Sequence, residues 1–208
     1  MCLVDVTDER IIATEDVYEP AEDSYLMIDS ALEAIEQQNR ISRVYRIDRI
    51  LHILEIGTGS GIVSSVLMRR APEHEYIATD ISPHAVACAK RNGLQVIRAD
   101  LFAGLSGRFD LIVFNSPYLP TAPDERIDGW LDYAWNGGAD GRATINRFIE
   151  QAPHFLAERG SVLLLVSSLT NIERVCERMR SVGFYVHEAA SVRCPGERLV
   201  VLRGSLRS

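Results

Sequence analysis

The sequence predicts an α/β protein built on one seven-stranded, mostly parallel sheet, with one antiparallel strand and helices on both faces. Three observations lead there. From about residue 50 onward, short apolar runs alternate with helical patterns, which implies strand–helix–strand units and a parallel sheet. Successive apolar runs end on Glu55, Asp80, Asp100 and Asn115, so a polar side chain recurs where the chain leaves each strand. The last two strand segments have only a turn at Pro195-Gly196 between them, and strands joined that tightly pair antiparallel.

Each element has its own local reason. A near-continuous apolar strand is expected over 50–56 and a helix over 62–70. A short strand at 76–79 runs into Asp80. The helix at 83–91 has Ser82 as its N-cap and Pro83 in its first turn, and Asn92-Gly93 stops it. A short strand at 94–98 and an apolar strand at 110–114 follow. A helix is expected over 142–157, with Gly160 ending the connection to a buried strand at 161–166. Asn171 caps a helix reaching Val182, and Gly183 terminates it. Strands at 184–190 and 199–203 complete the sheet. Upstream, 21–37 reads as an amphipathic helix carrying Leu26, Met27, Leu32 and Ile35, and 39–49 as a polar connection. The chain is thus expected to be a single domain, with segment 1–49 packed on a core of 50–208. Residues 115–141 have little periodicity and much Gly, Pro and Asp. A loop of that length in a compact domain is usually functional.

Composition narrows the classes. A chain of 208 residues buries a substantial core unaided. Its 47% hydrophobic and 25% charged content is that of an ordinary globular protein. The net charge of −7 argues against a nucleic-acid footprint over the whole chain, leaving room only for a local patch. Arg40, Arg43, Arg46 and Arg49 recur every third residue, and a solvated linker is favoured there over an RNA-binding face. The four cysteines, Cys2, Cys88, Cys176 and Cys194, have neither zinc-ligand spacing nor the look of a disulfide framework. A reducing, cytoplasmic setting is the simplest reading. The acidic start of the chain resembles neither a signal nor a transit peptide, and no apolar run approaches a membrane span. The histidines are scattered and suggest no metal set.

The chemistry is expected at the strand ends. Glu55-Ile56-Gly57-Thr58-Gly59-Ser60-Gly61 follows a strand and opens a helix. Glycines there permit a sharp turn and a ligand close to the backbone. Dinucleotide-binding loops read G-x-G-x-x-G. The spacing here is G-x-G-x-G with an acid two residues ahead, which resembles the nucleoside loop of Rossmann-like methyltransferases. A tight turn without a ligand is the competing reading. Asp80 can accept both ribose hydroxyls. Asp100 can accept from an exocyclic amine, with Leu101 and Phe102 covering the adenine. Either Asp alone reads more readily as a cap or turn former, but together they place acids at three successive strand ends, outside which ligands of open α/β sheets bind.

Asn115-Ser116-Pro117-Tyr118 resembles the Asn/Asp-Pro-Pro-Tyr/Phe motif of N6-amino methyltransferases. A planar amide or aromatic amine nitrogen is a poor nucleophile because its lone pair is delocalised. Two acceptors holding its N–H groups, the Asn115 side-chain oxygen and the Ser116 carbonyl, would polarise it and aim it at a methyl group. The rate then comes from positioning and electrostatics. Pro117 restricts the loop, and Tyr118 offers a flat face for stacking. Ser116 departs from the motif, but only its backbone carbonyl is needed.

Two further segments extend the resemblance: Val17-Tyr18-Glu19-Pro20-Ala21-Glu22-Asp23-Ser24 and Ala134-Trp135-Asn136-Gly137-Gly138-Ala139-Asp140-Gly141-Arg142. With them the chain resembles, from about Val17 to Arg203, the short archaeal and eukaryotic type of class 1 release factor glutamine methyltransferase. That resemblance implies a Rossmann-like S-adenosylmethionine-dependent methyltransferase fold. It implies methylation of the glutamine amide in a Gly-Gly-Gln motif. It assigns cofactor binding to Ser24, Glu55, Gly57, Gly59, Asp80, Asp100, Leu101 and Asn115, and the holding of the acceptor to Asn115, Pro117 and Tyr118. It also implies a heterodimer with a small zinc-binding activator protein, for which the apolar edge strand at 94–97 is the expected seat. Glu22 and Asp23 read equally well as a plain helix start. The competing functions are methylation of base amino groups or of another protein side chain, and a non-catalytic cofactor-binding subunit. A dehydrogenase fits the glycine spacing poorly.

Overall fold

The computed structural model describes residues 14, 16–46, 49–122, 124–126 and 128–206. Cys2 and the acidic start of the chain lie outside these residues. The elements in chain order are α1 (Glu22–Tyr45), β1 (His52–Ile56), α2 (Ile62–Arg70), β2 (Glu75–Asp80), α3 (Pro83–Arg91), β3 (Val96–Arg98) and β4 (Phe109–Asn115). Then come the single turn α4 (Asp132–Trp135), α5 (Ala143–Gln151), β5 (Leu156–Ser167), α6 (Ile172–Ser181), β6 (Phe184–Cys194) and β7 (Glu197–Leu206).

The strands form one sheet in the order β3-β2-β1-β4-β5-β7-β6. Neighbours from β3 to β5 are parallel. β7 runs antiparallel to both β5 and β6, so the reversed strand sits one place in from the edge. From β1 the chain builds outward to β3, then returns to place β4 on the other side of β1. Such a reversal leaves a crevice between the carboxyl ends of the two strands.

Alternation along the strands sorts the core into two layers. Leu54, Ile112, Phe114, Val162 and Leu164 face α5 and α6, meeting Ile145, Phe148, Val175 and Met179. Ile53, Leu111, Val113, Leu163 and Leu165 face the other way and meet Met27, Ile28 and Ala31 of α1 with Val66 and Leu67 of α2. Burial of an apolar side chain is worth roughly 1.5–3 kcal/mol, so these layers fix the sheet between its helices. α3 packs on β2 and β3 through Val86 and Ala89. Ser82 caps it as expected, accepting from the His84 and Ala85 N–H groups.

Several boundaries differ from the sequence reading. α1 runs to Tyr45, so most of the expected polar connection is helical, although residues 47–48 lie outside the described set. The apolar stripe ends at Ile35, but Glu36 pairs with Arg40 one turn on at 3.2 Å, the i,i+4 spacing that supports a helix without a core, and with Arg43 two turns on at 3.3 Å. The helix expected over 142–157 stops at Gln151. Pro153 cannot donate the next helical bond, and residues Ala152–Phe155 tighten into a 3-10 turn. β5 therefore starts at Leu156, with a bulge where Phe109 pairs with Leu156 but Leu111 pairs with Ser161. Gly160 permits that bulge, because a Cβ there would lie 2.8 Å from the Phe109 carbonyl oxygen. β6 and β7 are longer than expected because the turn at Pro195-Gly196, with Gly196 at φ 84°, lets them pair up to Cys194 and Glu197.

Candidate active site

A cavity of about 730 Å³ opens at the crevice between β1 and β4. Its size lies in the range of small-molecule sites. Every residue to which the sequence assigned a cofactor or acceptor role lines it except Phe102, which is buried in the core and stacks on Phe148 and Phe155 instead of facing the adenine position.

The floor is the glycine loop after β1. Gly57 has φ +64°, and a Cβ there would press on the Phe114 ring at 3.3 Å. The buried Glu55 carboxylate turns inward. Its Oε2 accepts from Thr58 Oγ1 at 2.8 Å, from Ser64 N–H at 3.1 Å and from the Ser64 hydroxyl. Ser64 lies in the first turn of α2, so Glu55 occupies the helix N-terminus that holds pyrophosphate in dinucleotide folds. A phosphate-bearing ligand is thereby disfavoured. Burial pushes the Glu55 carboxyl up to about 7, against the pull of the hydrogen bonds from Ser64 and Thr58.

Asp80 stands at the end of β2. Its Oδ2 accepts from Gly59 N–H at 2.9 Å and its Oδ1 from Ser82 N–H at 2.8 Å. Ile81 N–H is a third backbone donor to this carboxylate, so of the roughly four acceptor sites of a carboxylate one is left for a ligand hydroxyl. Burial raises its carboxyl above the ordinary value, opposed by those backbone donors. Asp100, half-exposed, is held by Arg147 of α5 at 2.7 Å. Leu101 follows it in the left-handed region, φ +52°, with its side chain buried.

The opposite wall is the end of β4. Asn115 donates through Nδ2 to Asp23 Oδ2 at 3.0 Å. Ser116 is buried and donates through Oγ to the Leu165 carbonyl at 2.7 Å. That bond tethers the loop to β5, replacing some of the stiffness a proline would supply. Burial beside Asp23 and Glu197 pushes the Tyr118 phenol far up and keeps it protonated. Tyr18 is shifted the same way by burial and by Asp23, to which its hydroxyl is hydrogen-bonded.

The described residues of the connection over 115–141 form a packed clasp. Leu119 N–H donates to the Trp135 carbonyl and Gly137 N–H to the Leu119 carbonyl, both at 2.9 Å. Asp132 is buried and accepts from Asn136 at 2.7 Å and from Arg126 at 3.2 Å. Gly141, at φ +71°, passes so close to the Tyr118 carbonyl oxygen that a Cβ would lie 2.3 Å from it. Arg142 donates to the Thr170 carbonyl at 2.7 Å. Trp130 reaches over the cavity, with the Arg98 guanidinium from β3 5.3 Å from its ring centroid.

Sequence reasoning assigned no role in the site to Tyr18, Arg147 or Trp130, and left Asp23 open. Asp23 and Asn115 lie 92 residues apart, so no spacing rule links them. Among the described residues, no group of three or more His, Cys, Asp or Glu could hold a metal. The residues present suit a cationic nucleoside: carboxylates at three strand ends, a helix N-terminus already filled by Glu55, and an apolar slot at Leu101.

Fold and cavity together define a Rossmann-like methyltransferase that takes its methyl group from S-adenosylmethionine. The chain is 34% identical over 206 residues, 96% of its length and 97% of the relative's, to a Methanocaldococcus jannaschii protein named for N5-glutamine methyltransferase activity. It belongs to the protein N5-glutamine methyltransferase family. Human methyltransferase HEMK2 is 36% identical over 202 residues, covering 92% of this chain and 90% of its own. The eRF1 methyltransferase catalytic subunit mtq2 of Schizosaccharomyces pombe is 28% identical, covering 93% and 91%. The family model described as "Methyltransferase small domain" matches residues 41–126. Among solved structures, Mtq2 from the E. cuniculi Mtq2-Trm112 complex, described as responsible for methylation of the eRF1 translation termination factor, superposes with a TM-score of 0.69 at 24% identity, covering 92% of this chain and 99% of that one. The N-terminal domain of human METTL16, solved in complex with SAH, gives 0.66 at 14% identity, covering 95% and 76%. Likenesses at those identities bear on the fold alone.

Proposed function

We propose that this chain methylates the side-chain amide of the glutamine in the Gly-Gly-Gln motif of a class 1 release factor. The observation that carries this reading is Asn115-Ser116-Pro117-Tyr118 facing, across one cavity, the acids at the ends of β1, β2 and β3. When bound, S-adenosylmethionine would supply a methyl group on a sulfonium; the N–C bond would form as the S–C bond breaks, S-adenosylhomocysteine would leave as the neutral sulfide, and the amide nitrogen would lose its proton to water.

The protein's own part is binding and aim. Asp80 takes a ribose hydroxyl, and Asp100 takes the adenine amine beside Leu101. Gly57 and Gly59 let the amino acid portion approach the backbone, with Ser24 and Asn115 completing that end. Glu55 acts by holding the loop shape. On the acceptor side, the Asn115 side-chain oxygen and the Ser116 carbonyl each take one N–H of the amide. Tyr118 stacks on its plane, and Pro117 limits the motion of both. Removing one such preorganised group typically costs 10²–10³ in rate, so little else is required for an uncharged nucleophile.

We further propose a cytoplasmic protein that works as a heterodimer with a small zinc-binding activator seated on β3. This strand is the sheet edge, and Ile97 on it is 45% exposed. Unpaired apolar edges recruit strands. No helix among the described residues is long and apolar enough to cross a membrane.

The test is transfer of labelled methyl from S-adenosylmethionine to a class 1 release factor, with the activator present. A factor whose Gly-Gly-Gln glutamine is replaced serves as the control. Label on the normal factor alone is the expected result. Label on both factors, or on RNA or another protein instead, would overturn the substrate assignment.

A further inference from the structure

We propose that Asp23 is a positioning residue that sets which end of the Asn115 amide faces the acceptor. The proposal rests on the role given to Asn115 above. A carboxamide is nearly symmetric in shape but opposite in chemistry at its two ends. Turned one way, Asn115 offers an oxygen to the incoming N–H groups. Turned the other way it offers N–H to N–H, and the acceptor amide is repelled. The shape of the pocket alone does not choose between them.

Asp23 makes the choice. It sits in the first turn of α1 and is 4% exposed. Its Oδ2 receives the Asn115 Nδ2 hydrogen at 3.0 Å. An ionised carboxylate is acceptor-only, so the opposite amide orientation would set oxygen against oxygen in a buried place, where an unmet polar pair is costly. Its other oxygen is already engaged. Oδ1 accepts from Ser24 N–H at 2.6 Å and from Ser24 Oγ at 3.2 Å. The Tyr18 hydroxyl is hydrogen-bonded to the same carboxylate. Asp23 is therefore itself held by its own helix start and by Tyr18, and its remaining bond is spent on Asn115. A helix-terminal acid that reads as dipole compensation in the sequence thereby becomes the support of a group 92 residues away.

The experiment compares Asp23→Ala, Asp23→Leu, Asp23→Asn and Asn115→Ala in the complex with the activator. It measures turnover on the release factor, calorimetric affinity for S-adenosylhomocysteine and the side-chain amide resonances of Asn115 in nitrogen-15-labelled protein. Asp23→Ala is expected to lower kcat about 10- to 100-fold, with KM for the protein substrate and affinity for S-adenosylhomocysteine within about three-fold. The protected Asn115 amide protons should become exchangeable. Asp23→Asn can donate as well as accept, so it no longer imposes one orientation and should lower kcat nearly as far as Asp23→Ala. Asp23→Leu fills the same space without an acceptor and carries the test should the alanine variant not fold. The proposal is overturned if kcat stays within about two-fold, or if affinity for S-adenosylhomocysteine falls in step with kcat. The latter would place Asp23's effect in the cofactor site through Ser24. Unchanged Asn115 amide resonances would overturn it as well. Should Asn115→Ala itself stay active, the role given to Asn115 fails and takes this proposal with it. An inactive Asn115→Ala beside a fully active Asp23→Ala leaves that role intact and removes only this proposal.

Discussion

The two walls of the cavity are built differently. On the wall formed by the ends of β1 and β2, the acids are held mainly by groups close in sequence: Glu55 by Thr58 and Ser64, and Asp80 by Ser82, with Gly59 of the neighbouring loop as its one distant donor. On the β4 wall, Asn115 depends on Asp23, Ser116 on Leu165, and the clasp after Tyr118 on Gly141 and Thr170. The first wall is a local turn whose geometry the glycine pattern dictates. The second is assembled only when α1, β4 and β5 have packed. Local turns give a ready binding site, whereas a group that must be aimed to within a fraction of an ångström is braced from several directions.

Substitutions can break this contrast. The largest effect is expected for Asn115→Ala, which should lower kcat about 10²- to 10³-fold in labelled-methyl assays while calorimetric affinity for S-adenosylhomocysteine changes by less than about ten-fold. Equal losses in both would mean that the two walls do not divide aim from binding. Asp80→Ala should show the opposite pattern. Affinity should fall about 10- to 100-fold, roughly what a lost charged hydrogen-bonding group costs. Stability should drop too, because the Gly59 and Ser82 N–H groups lose their acceptor. Asp80→Asn has one oxygen for the two N–H groups and should recover only part of the stability, which denaturant titration beside calorimetry would resolve.

Glu55 sharpens the comparison through pH. Its folded value, about 7, lies above the ordinary 4.5, so between these values the native state holds the proton more firmly than the unfolded chain. The stabilisation is complete below about 4.5 and is lost as pH rises through about 7, a contribution of about 3 kcal/mol. Relative to Glu55→Gln, the wild type should therefore lose stability as pH rises over that window. A constant difference between the two proteins would mean that folding does not raise the Glu55 carboxyl. The smallest effect is expected for Ser116→Ala. It deletes one hydrogen bond to Leu165, worth about 1 kcal/mol, and should change kcat by no more than about three-fold. A larger change would mean the tether to β5 aims the Ser116 carbonyl as well as holding the loop.

Much of this was legible beforehand because it is periodic or punctuated. Apolar runs ending at Glu55, Asp80 and Asn115 gave the parallel sheet, and Ser82-Pro83 and Asn171 gave helix starts that the structure bears out. The missed boundaries are those where local pairs or a neighbouring strand decide. Salt-bridged spacing carries α1 past its apolar stripe to Tyr45, and Pro153 ends α5 early. The Asp100–Arg147 ion pair and the Arg98–Trp130 stack have no signature because each joins separate elements.

By itself, then, the sequence determined the sheet, the glycine turn, the positions of the strand-end acids and the Asn-Ser-Pro-Tyr segment, since each follows from backbone preferences within a few residues. Only the tertiary structure decided which way Asn115 faces, what replaces the missing proline at Ser116 and how the long connection is pinned. Those depend on hydrogen bonds and close approaches between residues far apart in the chain, and a directional contact exists only once packing has fixed both of its ends.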